Sequence, residues 1–306
     1  MFPWSVAVQW TAEDNNQSGD PRTIRGLVGN DCMKFVLWGV YNMRNTISAD
    51  QIKYYQENGY LVIEHFLNEG ELDQWRQCTD EAVADRLGAS VQVHTNQSDP
   101  NDFYAQVFTQ CLRLADTHDG MHDLIFDHRL GEMGATLAGI DGIRIWHDQA
   151  LIKPPHGNHT AWHLDDPYWS FDSRDAISMW IALDDATLEN GCLWYLPGTH
   201  KLASYKNVGI GENLADIFKV YPEWKMIEPV PGPCPAGSIV WHNGLVAHAA
   251  GPNMTIRHRR AMTCAFMPDG SIFNGKKNIL PDDYFESLTI GETLDNDDWN
   301  ALVWHK

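Results

Sequence analysis

Between residues 47 and 140 apolar positions recur at intervals of three and four. Beyond residue 142 they come in short runs broken by Gly, Pro, Asn and Asp. The first spacing is that of amphipathic helices, the second that of short strands joined by turns. Ser48 followed by Gln51 is a capping box, and the helix it opens, 49–57, stops at Gly59. An apolar strand follows at Tyr60-Leu61-Val62-Ile63. Asn68 and Glu71 open a second helix, 69–87, in which Leu72, Trp75, Cys78, Ala82, Val83 and Leu87 recur at helical spacing and Gly88 is the stop. After a polar loop at 96–102, helices are predicted over Phe103–Ala115 and His122–Ala138, the latter ending near Gly139.

The second half predicts strands at 143–153, 159–165, 177–184, 192–196, 227–230, 238–242, 246–250 and 259–267. Eight short strands after a helical first half read as an α+β domain with a mainly β core, a sandwich or barrel with flanking N-terminal helices. The sequence has no internal repeat and no low-complexity linker, so 47–306 reads as a single domain. Residues 1–46 carry no readable pattern and are set apart as an N-terminal extension. In the tail 268–306 the acidic stretch Asp295-Asn296-Asp297-Asp298 reads as solvated surface.

Composition narrows the function. The chain has 306 residues, 43% hydrophobic and 21% charged, which is ordinary globular usage. Thirteen Trp suit an aromatic-rich interior or pocket. A net charge of −19 argues against a nucleic-acid partner and against anionic membranes, because both need clustered Lys and Arg. Six scattered cysteines with no CxxC pair argue against a zinc ribbon and read as reduced thiols of a cytoplasmic protein. The N-terminus has no basic leader, and no run of 18 apolar residues predicts a membrane span. A small-molecule substrate is the expected partner.

The first chemical signal is Trp162-His163-Leu164-Asp165. In a strand, i and i+2 share a face, so His163 and Asp165 would both aim into a barrel and form two thirds of a facial His/carboxylate triad. With 14 histidines one His-x-Asp is expected by chance, and a hydrogen-bonded surface pair explains it equally well. The second signal is His248, in the apolar run after the Asn243-Gly244 turn, where a third ligand would fall. The third is Arg259. Arg259, Ala261, Thr263 and Ala265 share one parity, and Arg260, Met262, Cys264 and Phe266 share the other. The first set is small apart from its Arg and suits a barrel lumen. An inward cation needs an anionic partner, and a bidentate carboxylate would supply one; the alternative is a solvent-exposed Arg in the basic cluster Arg257-His258-Arg259-Arg260.

These motifs, in this order, resemble the phytanoyl-CoA dioxygenase family of Fe(II)/2-oxoglutarate oxygenases. Tyr54-Tyr55-Gln56-Glu57-Asn58-Gly59-Tyr60-Leu61-Val62-Ile63 is similar to that family's opening helix and strand. Asp148-Gln149-Ala150-Leu151-Ile152-Lys153-Pro154-Pro155 resembles the strand before its metal motif. Asn190-Gly191-Cys192-Leu193-Trp194-Tyr195-Leu196-Pro197-Gly198-Thr199-His200-Lys201 resembles its GxLxxxPGSH segment. The likeness runs from about 47 to 270 and implies a double-stranded β-helix, the jelly-roll of cupin-like barrels. It implies Fe(II) on His163, Asp165 and His248, and Arg259 on the distal carboxylate of 2-oxoglutarate, with Trp180 and Gln149 also touching the co-substrate. The implied reaction consumes O2, releases succinate and CO2, and hydroxylates an unactivated C–H bond. Asp165 implies a hydroxylase, since halogenating relatives carry a small residue there. One departure is Ala250, where family members often carry a serine that helps hold 2-oxoglutarate.

Other residues weigh less. Lys153 either lines the pocket or faces solvent. His242 reads as a possible neighbour of the metal or as a simple strand-end histidine. His156, His159, Asp166, Tyr168 and Trp169 flank the motif and are candidates for substrate contact, whereas His118-Asp119 and His122-Asp123 read as surface. Three rival classes stay open: a metal-dependent hydrolase or isomerase on the same barrel, a non-catalytic ligand-binding module, and a triad that holds no metal. The substrate is not legible, although the negative charge disfavours a CoA ester.

Overall fold

The computed structural model describes residues 46–88, 103 and 106–306. The N-terminal extension, Thr46 apart, and the loop expected at 96–102 lie outside them. Helix α1 (Ala49–Asn58) begins where Ser48 and Gln51 cap each other and ends on Gly59, whose left-handed backbone (φ 83°) lets its N–H donate to Tyr55 O. Helix α2 (Glu69–Gly88) opens on the same reciprocal pattern between Asn68 and Glu71. Helices α3 (Asp119–Ile125) and α4 (His128–Ala138) follow.

The strands are β1 (Tyr60–Ile63), β2 (Thr109–Leu112), β3 (Gly142–Lys153), β4 (Thr160–His163), β5 (Ile177–Ala182), β6 (Leu193–Tyr195), β7 (Val230–Gly232), β8 (Ile239–Asn243), β9 (His248–Ala250), β10 (Arg259–Pro268) and β11 (Leu302–His305). They form two antiparallel sheets. The large one runs β1-β8-β5-β10-β3-β11, with β2 on the far end of β3, and the small one runs β4-β9-β6-β7. Their inner faces meet through Trp180, Val240 and Ala261 on one side and Leu193, Tyr195 and Ala250 on the other. This is the jelly-roll core that the resemblance implied.

The outer face of the large sheet is buried by helices. Met262, Cys264 and Phe266 pack there with Trp75, Val83, Leu130, Met133 and Leu137. Each such large side chain contributes about 1.5–3 kcal/mol of burial. Arg259, Thr263 and Ala265 face the lumen, as their parity predicts. Among the described residues no helix is long and apolar enough to cross a membrane.

Several expectations need correcting. The segment read as a helix over 103–115 forms strand β2 and a 3-10 turn at Leu114–Asp116. Its helical spacing is overridden by pairing with β3, Thr109 opposite Ile152 through Leu112 opposite Gln149. The helix read over 122–138 breaks in two, because Asp127 caps α4 by accepting from Arg129 N. The strand read over 159–165 stops at His163. The N–H groups of Asp165 and Asp166 both donate to Gly244 O, at 3.0 and 2.9 Å, so Asp165 sits in a turn. The Asn243-Gly244 turn carries the chain from one sheet to the other. Gly244 is needed there, since a Cβ would lie 2.9 Å from the Trp169 ring.

In the tail, Asp295, Asp297 and Asp298 are exposed, while β11 adds an edge to the large sheet, and Leu280, Tyr284 and Leu294 pack with Trp146, Trp169 and Phe171.

Candidate metal centre and co-substrate pocket

His163 ends β4, His248 begins β9, and the two strands are neighbours with these residues directly paired. Asp165 enters from the turn beyond β4. The two sets of backbone bonds, ladder and turn, bring the three ligand atoms within 4.8 Å of one another. His163 Nε2 is 3.4 Å and His248 Nε2 3.6 Å from Asp165 Oδ1.

The hydrogen bonds fix what these nitrogens offer. His163 Nδ1 lies 2.8 Å from Ala161 O, and His248 Nδ1 lies 3.1 Å from Val246 O. A carbonyl only accepts, so each Nδ1 donates to it, and each Nε2 is the ring atom turned toward Asp165. Burial pushes the His248 imidazole down to about 3, with His163 adding to the shift. Burial alone would push the Asp165 carboxyl up, but the surrounding His248, His163 and His242 rings hold it well below the usual carboxylate range. Neutral imidazoles and an ionised carboxylate are the protonation states in which these groups bind a metal. Two nitrogens and an oxygen on one edge, with the other edge facing a cavity, fit a ferrous ion.

His242 contributes more than its sequence position suggested. Its Nε2 lies 3.4 Å from Asp165 Oδ2, and its Nδ1 lies 3.4 Å from the Tyr195 hydroxyl. Asp165 therefore has one oxygen toward the two ligand histidines and the other held from behind. Tyr195 in turn stacks on Tyr60, with ring centroids 4.1 Å apart.

The three groups border a cavity of about 450 Å³ between the sheets. Arg259 lines it on the large-sheet side and is only 3% exposed. Its Cζ lies 5.2 Å from the Trp180 ring centroid, a cation–π contact. Nη2 donates to Gly191 O at 3.4 Å, while Nε and Nη1 have no partner. Burial pushes this guanidinium down to about 10. A buried cation with free donors calls for an anion. Gln149 lines the same cavity and accepts from Gln110 Nε2 at 2.5 Å.

The structure thus brings together His163, Asp165, His248, Arg259, Trp180, Gln149, His242, Tyr168 and Trp169 around one space. Lys153 does neither of the two things expected of it. It is fully buried outside the lining, donating to Asn158 O at 2.5 Å. His156, His159 and Asp166 also stay out of the lining. Asp166 is a buried structural carboxyl accepting from Ser173 N. His118 caps α3 by accepting from Met121 N, and His122 is more than half exposed.

Sequence reasoning missed His147, Gln110, Ser178 and Thr160, which all line the cavity. His147 escaped because of a β-bulge. Ala265 pairs with His147 but Phe266 pairs with Ile145. Ile143 and Ile145 therefore face the helices while His147 and Gln149 face the lumen, although all four share a parity.

Comparison with known proteins shows the family. The family model described as Phytanoyl-CoA dioxygenase (PhyH) matches residues 55–261. A phytanoyl-CoA dioxygenase of Arabidopsis thaliana is 26% identical over 246 residues, spanning 71% of this chain and 87% of that protein. A methylphosphonate hydroxylase of Gimesia maris is 27% identical over 223 residues, spanning 72% and 80%. Among solved structures, the epimerase SnoN in complex with Fe3+, alpha ketoglutarate and nogalamycin RO superposes with a TM-score of 0.66 at 22% identity, covering 83% of this chain and 97% of that one.

Proposed function

From its membership of the phytanoyl-CoA dioxygenase family of Fe(II)/2-oxoglutarate oxygenases, we propose that this chain hydroxylates an unactivated C–H bond of a small organic molecule. Iron is held by His163, Asp165 and His248. Arg259 clamps the distal carboxylate of 2-oxoglutarate, with Trp180 against its guanidinium and Gln149 on the adjoining wall. When bound, iron and 2-oxoglutarate supply the oxidising power, O2 being consumed and succinate and CO2 released.

The protein's own part is placement. Ala161 O and Val246 O fix the ring orientation of the two histidines through their Nδ1 protons. His242 holds the far oxygen of Asp165, which leaves the near one for the metal. Between the sheets, Trp180, Leu193 and Leu151 keep bulk water from the reacting centre.

The observation that carries the reading is the convergence of two features in one cavity. Three ligand atoms converge within 4.8 Å, and two donors of a buried arginine have no protein partner. The carboxylate at 165 favours hydroxylation over halogen transfer, which needs that coordination position free. The epimerase SnoN shares this fold, so the product decides. The test is anaerobic addition of Fe(II) and 2-oxoglutarate. A weak visible charge-transfer band is expected, lost in His163→Ala, with succinate released once O2 is admitted. No band in the intact protein would sink the proposal.

A further inference from the structure

The other half of the cavity carries information about the substrate, and the inference rests on the reading above for the co-substrate half. The cavity meets solvent at Gly209 and Asn278, two exposed lining residues. Gly209 lies in a loop tied to the metal-bearing segment. The Asn207 amide donates to Leu164 O at 2.6 Å, and the Tyr168 hydroxyl donates to Val208 O at 2.5 Å. Asn278 lies in a strap, 271–280, beyond the region that the family model matches. The strap is stitched to the segment just after Asp165. Asn274 N donates to Ser170 O at 2.8 Å, the Ser170 hydroxyl to Lys277 O at 3.1 Å, and Lys276 Nζ to Pro167 O at 3.1 Å. One segment therefore positions both the carboxylate ligand and the mouth of the cavity.

Two features of this half point to its ligand. The first is charge. Among the described lining residues Arg259 is the one Lys or Arg and Asp165 the one carboxylate, and the reading above commits them to 2-oxoglutarate and to iron. His147 is buried and neutral, pushed down to about 4 by that burial. The other described lining residues include Phe108, Leu112, Tyr168, Trp169, Ile210 and Ile279, with Gln110 as an uncharged polar group. A charged group entering there would shed water and meet no counter-charge. The second feature is Asn278 itself. Its backbone is left-handed (φ 43°), and no described residue engages its amide. Glycine would take this conformation at no cost. Asparagine instead leaves a donor and an acceptor at the mouth.

We propose that the strap is the specificity element of this enzyme. It selects an uncharged, largely apolar organic molecule whose carbonyl, hydroxyl or amide hydrogen-bonds Asn278. Phosphonates, acyl-CoA esters and other anions are excluded as substrates.

The test is calorimetric titration of the Fe(II)-loaded protein under nitrogen, with 2-oxoglutarate saturating Arg259. The probes are three molecules of one skeleton, cyclohexanecarboxamide, cyclohexanecarboxylate and cyclohexylmethylammonium, together with methylphosphonate. The carboxamide is expected to bind at least about tenfold more tightly than any charged probe. Asn278→Gly, which removes the amide and relaxes the backbone, is expected to weaken carboxamide binding about five- to tenfold. Equal or tighter binding of an anion, no measurable carboxamide binding, or an unchanged affinity in Asn278→Gly would each overturn the proposal. The charge-transfer band, recorded first, keeps the two readings apart. A band without charge preference defeats this inference alone. If no band forms, the oxygenase reading fails, and the carboxamide titration of wild type against Asn278→Gly, which needs no iron, still decides this one.

Discussion

Replacing Arg259 by Met should make the protein more stable and nearly blind to 2-oxoglutarate. The guanidinium is 3% exposed and pushed down to about 10 by burial. In the unfolded chain it keeps its ordinary value of 12.5. The folded value is the lower one, so the fold disfavours the proton, and the whole penalty is present at any pH below about 10. That penalty is roughly 3 kcal/mol. Met removes it, but forfeits the contact with Trp180, worth about 1–2 kcal/mol. A net gain of about 1–2 kcal/mol is expected, a rise in Tm of roughly 2–3 °C for a chain of this size. Binding moves the other way. Two charge-assisted hydrogen bonds to a carboxylate are worth about 3–5 kcal/mol together, so affinity for 2-oxoglutarate should fall by about two to three orders of magnitude. Thermal unfolding of the anaerobic Fe(II) protein reads both effects. Wild type should be stabilised as 2-oxoglutarate is added, whereas Arg259→Met should start higher and not move. A variant that starts lower, or that binds the co-substrate within fivefold of wild type, would refute the reasoning.

Other consequences can be checked separately. His163→Ala and His248→Ala should each abolish iron retention on gel filtration, since each leaves only two protein ligands. His242→Gln should weaken iron binding about 10- to 100-fold without removing a ligand, read by competition with a chelator. An unchanged affinity would mean that His242 does not hold Asp165. Lys153 is fully buried and pushed down to about 7, chiefly by burial and then by Arg259. Its folded value lies below its unfolded one, so charge burial penalises the fold most below pH 7, and the penalty fades as pH climbs toward the unfolded value. Denaturant titrations should therefore show Lys153→Met gaining about 5 kcal/mol over wild type near pH 6 and only about 1 kcal/mol near pH 9.5.

Much of this was readable from the chain because the relevant signals are local. The Ser48/Gln51 and Asn68/Glu71 boxes cap their helices by contacts three residues long. Along β10, parity separates Arg259 and Thr263 from Met262 and Phe266, since the strand is regular over that stretch. What failed depends on distant partners. Strand β2 has helical spacing and becomes a strand only against β3. Asp165 reaches the site by a turn anchored on Gly244, some eighty residues away, and not by the strand alternation that suggested it. The bulge opposite Ala265 hides His147, and the short strand β11 finds its partner in β3 across the whole second half of the chain.

Ala250 raises the question of how 2-oxoglutarate is held without the serine that relatives often carry there. The neighbouring strand suggests an answer. Thr160 of β4 pairs directly with Ala250 of β9, and both line the cavity. The Thr160 hydroxyl is buried and has no partner. An orphaned hydroxyl costs about 1–3 kcal/mol unless a ligand meets it, so it is placed where the missing one would be, one strand over. Thr160→Val keeps the β-branched shape and the strand. It should weaken 2-oxoglutarate binding about fivefold, the value of one neutral hydrogen bond, while leaving iron retention intact. Adding Ala250→Ser to Thr160→Val should restore the affinity, because the hydroxyl returns to the same space from the other side of the β4–β9 ladder. A Thr160→Val variant that binds as wild type does would show that the hydroxyl serves the fold alone. A double variant that stays weak would show that the two positions do not exchange roles.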